Sequence, residues 1–155
     1  MTLSLRILLL AIWESAWLAA GDAPVFLPDM ALVFACLGGV ARRRDEDLVH
    51  AIILGLVAGA FTADPWTLPA LVCLTGSVTM GMARRTLVSS RGVEVLGAAS
   101  LAVVLAVAVG LLVRILSPLA PMDLAGALAT LAAIPATVAF VVLGKSSGRR
   151  DLAFR

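Results

Sequence analysis

Apolar residues fall into six runs separated by short polar or proline-containing breaks. The runs cover residues 3–20, 26–41, 48–63, 66–83, 93–116 and 124–144. A helix that crosses a membrane needs about 20 mainly apolar residues, a length that the fifth run exceeds and the third falls a little short of. The pattern predicts an all-α integral membrane protein, with six transmembrane helices forming one polytopic domain over residues 1–155.

Composition strengthens this prediction. Hydrophobic residues make up 61% of the 155 residues and charged residues 14%. Ordinary globular domains have roughly 45–50% and about 25% respectively. A soluble fold would have too few polar residues to cover its core, so composition argues against a soluble domain.

The charges are distributed unevenly along the chain. Eleven of the twelve basic residues lie at the start or after every second run: Arg6, Arg42, Arg43, Arg44, Arg84, Arg85, Arg91, Lys145, Arg149, Arg150 and Arg155. The other breaks carry Asp22, Asp29, Asp64 and Asp123. Basic residues favour the cytoplasmic side, so the chain is expected to have both termini in the cytoplasm.

The first run contains a glutamate in an otherwise apolar stretch. A cleaved signal peptide is an alternative for residues 3–20 because the outline is similar, but Glu14 beside Trp13 and Trp17 favours an uncleaved helix. A charge inside a membrane usually faces protein or water. Glu14 is therefore interpreted either as part of a pocket or partner contact, or as a structural bond between helices.

The third and fourth runs form a hairpin, for which two re-entrant half-helices are an alternative. Gly55 and Gly59 are four residues apart and lie on one helix face, where another backbone can approach closely. Thr75 and Thr79 repeat that spacing, and their hydroxyls could bond across a helix pair. These four residues are predicted to pack helices within the bundle or to bind the helix of a partner.

Polar residues near the outer ends of the helices are the other site candidates. Asp29 follows Pro28 at the start of the second run. Asp64 precedes Pro65, so it could cap the fourth helix or stand at the rim of an outward cavity. Arg114 lies near the same membrane side, and a pair between Asp64 and Arg114 is a hypothesis.

The sequence gives little basis for catalysis. None of the serine-hydrolase, zinc-protease, nucleotide-loop or dinucleotide motifs occurs. His50 is interpreted as structural, and Cys36 and Cys73 as buried thiols, because one histidine and two distant cysteines do not form a metal site. No enzyme activity, cofactor, metal or nucleic-acid binding is expected.

The order of these features resembles the rod shape-determining protein MreD family. The resemblance lies in the apolar first helix, Pro28-Asp29 opening the second, the basic loop that follows, and Gly55, Gly59 and Asp64 along the third. Length, six segments and cytoplasmic ends agree over essentially the whole chain. Where the family commonly has a glycine soon after the aspartate, this chain has Pro65-Trp66-Thr67-Leu68-Pro69.

The resemblance implies a non-enzymatic scaffold of the cell-elongation machinery in a bacterial inner membrane. Its implied partners are an MreC-like protein with one membrane helix and, through it, MreB, RodA and a class-B penicillin-binding protein, alongside membrane lipids. The MreD fold is similar to that of the substrate-binding S-components of energy-coupling factor transporters. A membrane subunit for uptake of a small, vitamin-like molecule is therefore the alternative.

Overall fold

The computed structural model describes residues 2–20, 28–39, 44–62, 65, 67–86, 92–116 and 124–150. Over these ranges the predicted all-α class is confirmed. The helices are α1 (Leu3–Ala20), α2 (Met30–Gly39), α3 (Arg44–Gly59), α4 (Thr67–Thr86), α5 (Gly92–Leu116), α6 (Leu124–Ala132) and α7 (Ile134–Arg150).

The second and third helices differ most from the bounds that hydropathy suggested. Helix α2 begins at Met30, after Pro28 and Asp29, whereas the apolar run placed both residues inside it. Helix α3 begins at Arg44, within the charged run interpreted above as a loop. Acidic residues in a first turn interact favourably with the helix dipole, so such a run can start a helix.

Helix α3 also ends earlier than predicted, at Gly59 rather than at residue 63. Beyond it the chain tightens into a turn in which the Phe61 N–H donates to the Ala58 carbonyl at 3.0 Å. Asp64 and Trp66 lie outside the described residues.

The sixth apolar run is divided into two helices. The break falls at Ala133, two residues before Pro135. Proline lacks the N–H of the helical ladder, and its ring clashes with the carbonyl four residues earlier, here that of Leu131. The ladder resumes where the Thr137 N–H donates to the Ala133 carbonyl at 3.0 Å, and α7 continues to Arg150.

Helix α2 lies in the middle of the bundle. Its six consecutive residues 31–36 are all buried. Leu32, Val33 and Cys36 belong to a core shared with α4, α5 and α7. The other three of these six residues, Ala31, Phe34 and Ala35, belong to a second core shared with α1, α3 and α4. The helix therefore connects the two halves of the bundle, and α4 packs beside it on α3 and α5.

Helix α5 carries small side chains on one face and large apolar side chains on the opposite face. Its inward face is formed mainly by Ala98, Ala99, Ala102 and Ala106, together with the larger Val103, all buried. Its outward face carries large apolar side chains, which are Leu96, Leu101, Val104, Leu105, Leu112, Ile115 and Leu116. Small residues inside and large apolar residues outside are typical of helices that pack in lipid, where burial of apolar surface does not drive association.

Among the described residues, two helical stretches are long and apolar enough to cross a membrane by length and composition, Glu94–Leu116 and Ala127–Gly144. Thr67–Ala83 is a shorter apolar helix. Helix α2, with ten residues, rises only about 15 Å, which is half the thickness of a hydrocarbon core. Six transmembrane helices therefore stay a prediction over the described residues.

Candidate functional site

A cavity of about 210 Å³ opens at the end of the bundle where α1, α3 and α5 finish and α2 and α4 begin. Its polar lining comes from five residues, each on or next to a different helix: Glu14, Asp29, Thr62, Arg114 and Thr130. Leu68, Val72, Val107 and Leu111 are among its apolar walls. Charge placement along the sequence predicts that this end faces away from the cytoplasm.

Asp29 is positioned by hydrogen bonds on both sides. Its Oδ1 accepts the Leu32 N–H at 2.9 Å, which is the bond of a helix N-cap. Its own N–H donates to the Thr137 hydroxyl at 3.1 Å, and that hydroxyl donates to the Ala133 carbonyl at 2.9 Å. The broken sixth run thereby fixes the start of α2, while the Asp29 residue remains exposed toward the cavity that it lines.

Replacing Thr137 with valine should therefore loosen this end of the bundle. Thr137 is only 1% exposed, so valine would leave the Asp29 N–H without its acceptor in a packed site. We expect a loss of about 1–2 kcal/mol in unfolding free energy, visible as a lower melting temperature of the purified protein. Thr137→Ser, which keeps the hydroxyl, should lose distinctly less; equal losses in both variants would contradict the role of the hydrogen bond.

Glu14 enters the cavity from α1. It is half-buried and lines the same cavity as Asp29. Trp13 and Trp17 pack edge-on against each other on the same helix, with ring centroids 5.6 Å apart. Glu14 therefore lines a pocket, which is the position that the first of its two interpretations requires.

Arg114 approaches the cavity from the last turns of α5. One turn earlier, a Cβ added at Gly110 would lie 2.9 Å from Val72 Cγ2, so the glycine lets α4 and α5 come close. The same cavity brings Arg114 together with Glu14 and Asp29. The pairing of Arg114 with Asp64 stays a prediction because Asp64 lies outside the described residues.

None of the four candidate packing residues lines the cavity itself. A Cβ added at Gly55 would lie 2.6 Å from both the Ala70 nitrogen and the Pro69 carbonyl oxygen, so α4 occupies that face. Gly59 is buried at the end of α3. The hydroxyls of Thr75 and Thr79 donate within α4, to the carbonyls of Leu71 and Thr75, both at 2.8 Å, and not to another helix.

Comparison of the chain with protein-family models, curated proteins and solved structures finds no match.

The polar residues that line the cavity carry both negative and positive charges. Two carboxyl groups, one guanidinium and two hydroxyls can hold a small group that carries both a positive and a negative charge. Within the described ranges no cluster of three histidine, cysteine or acidic residues could hold a metal ion. Cys36 and Cys73 are free thiols in the core, and His50 lies near the start of α3, at the other end of that helix from the cavity.

The sequence pointed to Glu14, Asp29 and Arg114 as separate candidates and did not distinguish Thr62 and Thr130. One signal could have grouped the set. Each residue lies within about two turns of the helix end that charge placement assigns to the outer side, so all five share one depth.

Proposed function

We propose that this chain is a multi-pass protein of the bacterial inner membrane. The supporting observation is the outer surface of the bundle, where α1, α3, α4, α5, α6 and α7 each leave at least two large apolar side chains exposed. In water such a surface would be an aggregation liability, whereas lipid covers it without cost. The alternation of basic and acidic breaks supports six spans with cytoplasmic ends.

Within that membrane we propose a non-enzymatic scaffold role in cell elongation. The resemblance of Pro28-Asp29, Gly55, Gly59 and Asp64 to the MreD family supports this role. So does the bundle itself, because an apolar exterior offers sites for another membrane helix. The proposed partner is an MreC-like protein with one membrane helix, through which MreB, RodA and a class-B penicillin-binding protein would be guided toward peptidoglycan synthesis.

The proposed contact is lateral packing, and the structure limits where it can occur. Gly55 already faces the backbone of α4, so its face is not open to a second chain. The open surfaces are the outward faces of the outer helices. Ile12 on α1, Leu105 on α5 and Phe140 on α7 are each exposed and sample three of them.

Co-expression with the MreC-like protein of the same genome tests the scaffold role. We expect the two proteins to co-purify from the membrane fraction, and a photo-crosslinking residue at position 12, 105 or 140 to form a cross-link to the partner. A photo-crosslinking residue at each position without co-expressed partner is the control. Recovery in the membrane without any co-purification would contradict the scaffold role.

The presence of a cavity is the reason to consider a second candidate, a membrane subunit that binds a small molecule for uptake. Its volume of about 210 Å³ lies below the roughly 300–1,000 Å³ of most ligand pockets. That size suits a vitamin-like molecule less well than a smaller group. An uptake subunit would also need a surface for an energising partner and a water-soluble ligand that raises its thermal stability.

A further inference from the structure

The charged residues that line the cavity stand on helices that do not all pack on one another. Glu14 stands on α1, whereas Arg114 and Thr130 stand on α5 and α6. Helix α1 packs only on α2 and α3, and over the described ranges it makes no contact with α5, α6 or α7. Over the described ranges no contact therefore joins the helix that carries Glu14 to the helices that carry Arg114 and Thr130, which leaves a gap between α1 and α6.

We propose that this cavity binds the head group of an aminophospholipid that enters between α1 and α6. The primary ammonium lies between Glu14 and Asp29, and the phosphodiester lies at Arg114. The proposal rests on the membrane location proposed above, but not on the scaffold role.

The acidic wall suits a primary ammonium. Two carboxyl groups line this wall, one from α1 and one from the start of α2. The Asp29 carboxylate accepts the Leu32 N–H and also interacts with the Ala31 N–H, and its two oxygens have further lone pairs that a ligand donor can use. A primary ammonium has three N–H donors and can satisfy both carboxylates, whereas a quaternary ammonium has none.

The opposite wall suits a phosphate. Arg114 carries five N–H donors in a planar fork that matches phosphate oxygens, so it can hold a phosphate and keep another interaction at the same time. Thr130 lines the same cavity beside Arg114. A zwitterion therefore fits in one orientation, with its positive group at the carboxylates and its negative group at the guanidinium of Arg114.

Three features of the cavity suit a membrane lipid. The cavity volume of about 210 Å³ accommodates a small head group and lies below the usual range for ligand pockets. Apolar residues of α4 and α5, among them Val72, Val107 and Leu111, form the remaining walls, where the glycerol and the first acyl carbons can pack. The gap between α1 and α6 gives the acyl chains a lateral exit.

The test uses the purified full chain in delipidated detergent micelles and four probes. These are short-chain phosphatidylethanolamine, phosphatidylcholine and phosphatidylglycerol, and water-soluble phosphoethanolamine. Melting temperature is measured against the concentration of each probe. We expect phosphatidylethanolamine to bind at least about tenfold more tightly than the choline and glycerol lipids, because charge-assisted hydrogen bonds from the ammonium are lost in both.

Two variants localise the binding. Glu14→Gln should weaken phosphatidylethanolamine about tenfold and remove its preference over phosphatidylcholine. Asp29→Asn should do the same while keeping the cap on α2, because asparagine is also a favoured N-cap; it carries the test if the Glu14 variant does not fold. Glu46→Gln, at an exposed position near the start of α3, should bind like the parent protein.

Equal binding of phosphatidylethanolamine and phosphatidylcholine would overturn the proposal, as would unchanged binding in Asp29→Asn. Phosphoethanolamine that stabilises the protein as well as the lipid does would assign the cavity to a soluble zwitterion and overturn the lipid assignment. Co-purification with the MreC-like protein is measured separately, so a failure of lipid binding leaves the scaffold result unaffected.

Discussion

Replacing Gly55 with alanine should cost about 3 kcal/mol or more of unfolding free energy. The added methyl would overlap the backbone of Ala70 and lie 2.6 Å from the Pro69 carbonyl oxygen. Backbone atoms cannot move aside as a side chain can, so α3 and α4 would have to separate. Melting of the purified protein, followed by circular dichroism in detergent, measures the loss.

Gly97 provides the matched control. It also lies within a helix, but a Cβ added there would meet nothing within 4 Å. Gly97→Ala should leave stability unchanged or raise it by up to about 1 kcal/mol through helix propensity. Equal melting temperatures for the two alanine variants would contradict the close contact of α3 with α4.

Leu32→Ala and Gly76→Ala should each destabilise the bundle, and together they should compensate in part. Leu32 is 1% exposed, and its truncation should cost about 2–5 kcal/mol. A Cβ at Gly76 would lie 2.5 Å from Leu32 Cδ1 and 3.1 Å from the Cys36 sulfur, so Gly76→Ala overfills the same place. In the double variant the new methyl occupies part of the space that the leucine left.

A double-mutant cycle measures this compensation. The loss in the double variant should be smaller than the sum of the two single losses by about 1 kcal/mol or more, as for residues that touch. Leu54→Ala serves as the comparison partner, because Leu54 is fully buried but belongs to the other core. Gly76→Ala combined with Leu54→Ala should be additive; additive losses with Leu32→Ala would contradict the contact.

Hydropathy predicted the helices well where one apolar run corresponds to one helix. Helix α1 has the bounds that its run predicts, and α5 begins one residue early. The prediction was less accurate where local chemistry overrides hydropathy. At Arg44 a charged run forms the first turn of a helix, and at Ala133 the proline two residues later breaks the run.

The packing role of Gly55 could be expected from its spacing to Gly59, but the identity of its neighbour could not. Spacing along one helix defines a face and says nothing about what lies opposite. The cavity was harder to predict for the same reason. Glu14, Asp29 and Arg114 belong to three separate elements, and only the packing of α1 and α5 around α2 brings their side chains to one place.

The complete burial of residues 31–36 has a consequence for how this protein can evolve. Most helices keep one face whose residues can drift without harm, because they touch only solvent or lipid. Helix α2 has no such face over more than a full turn, since α1 and α3 cover one side while α5 and α7 cover the other. Natural variation should therefore accumulate on the rim of the bundle, while its central axis changes only when a neighbouring helix changes with it.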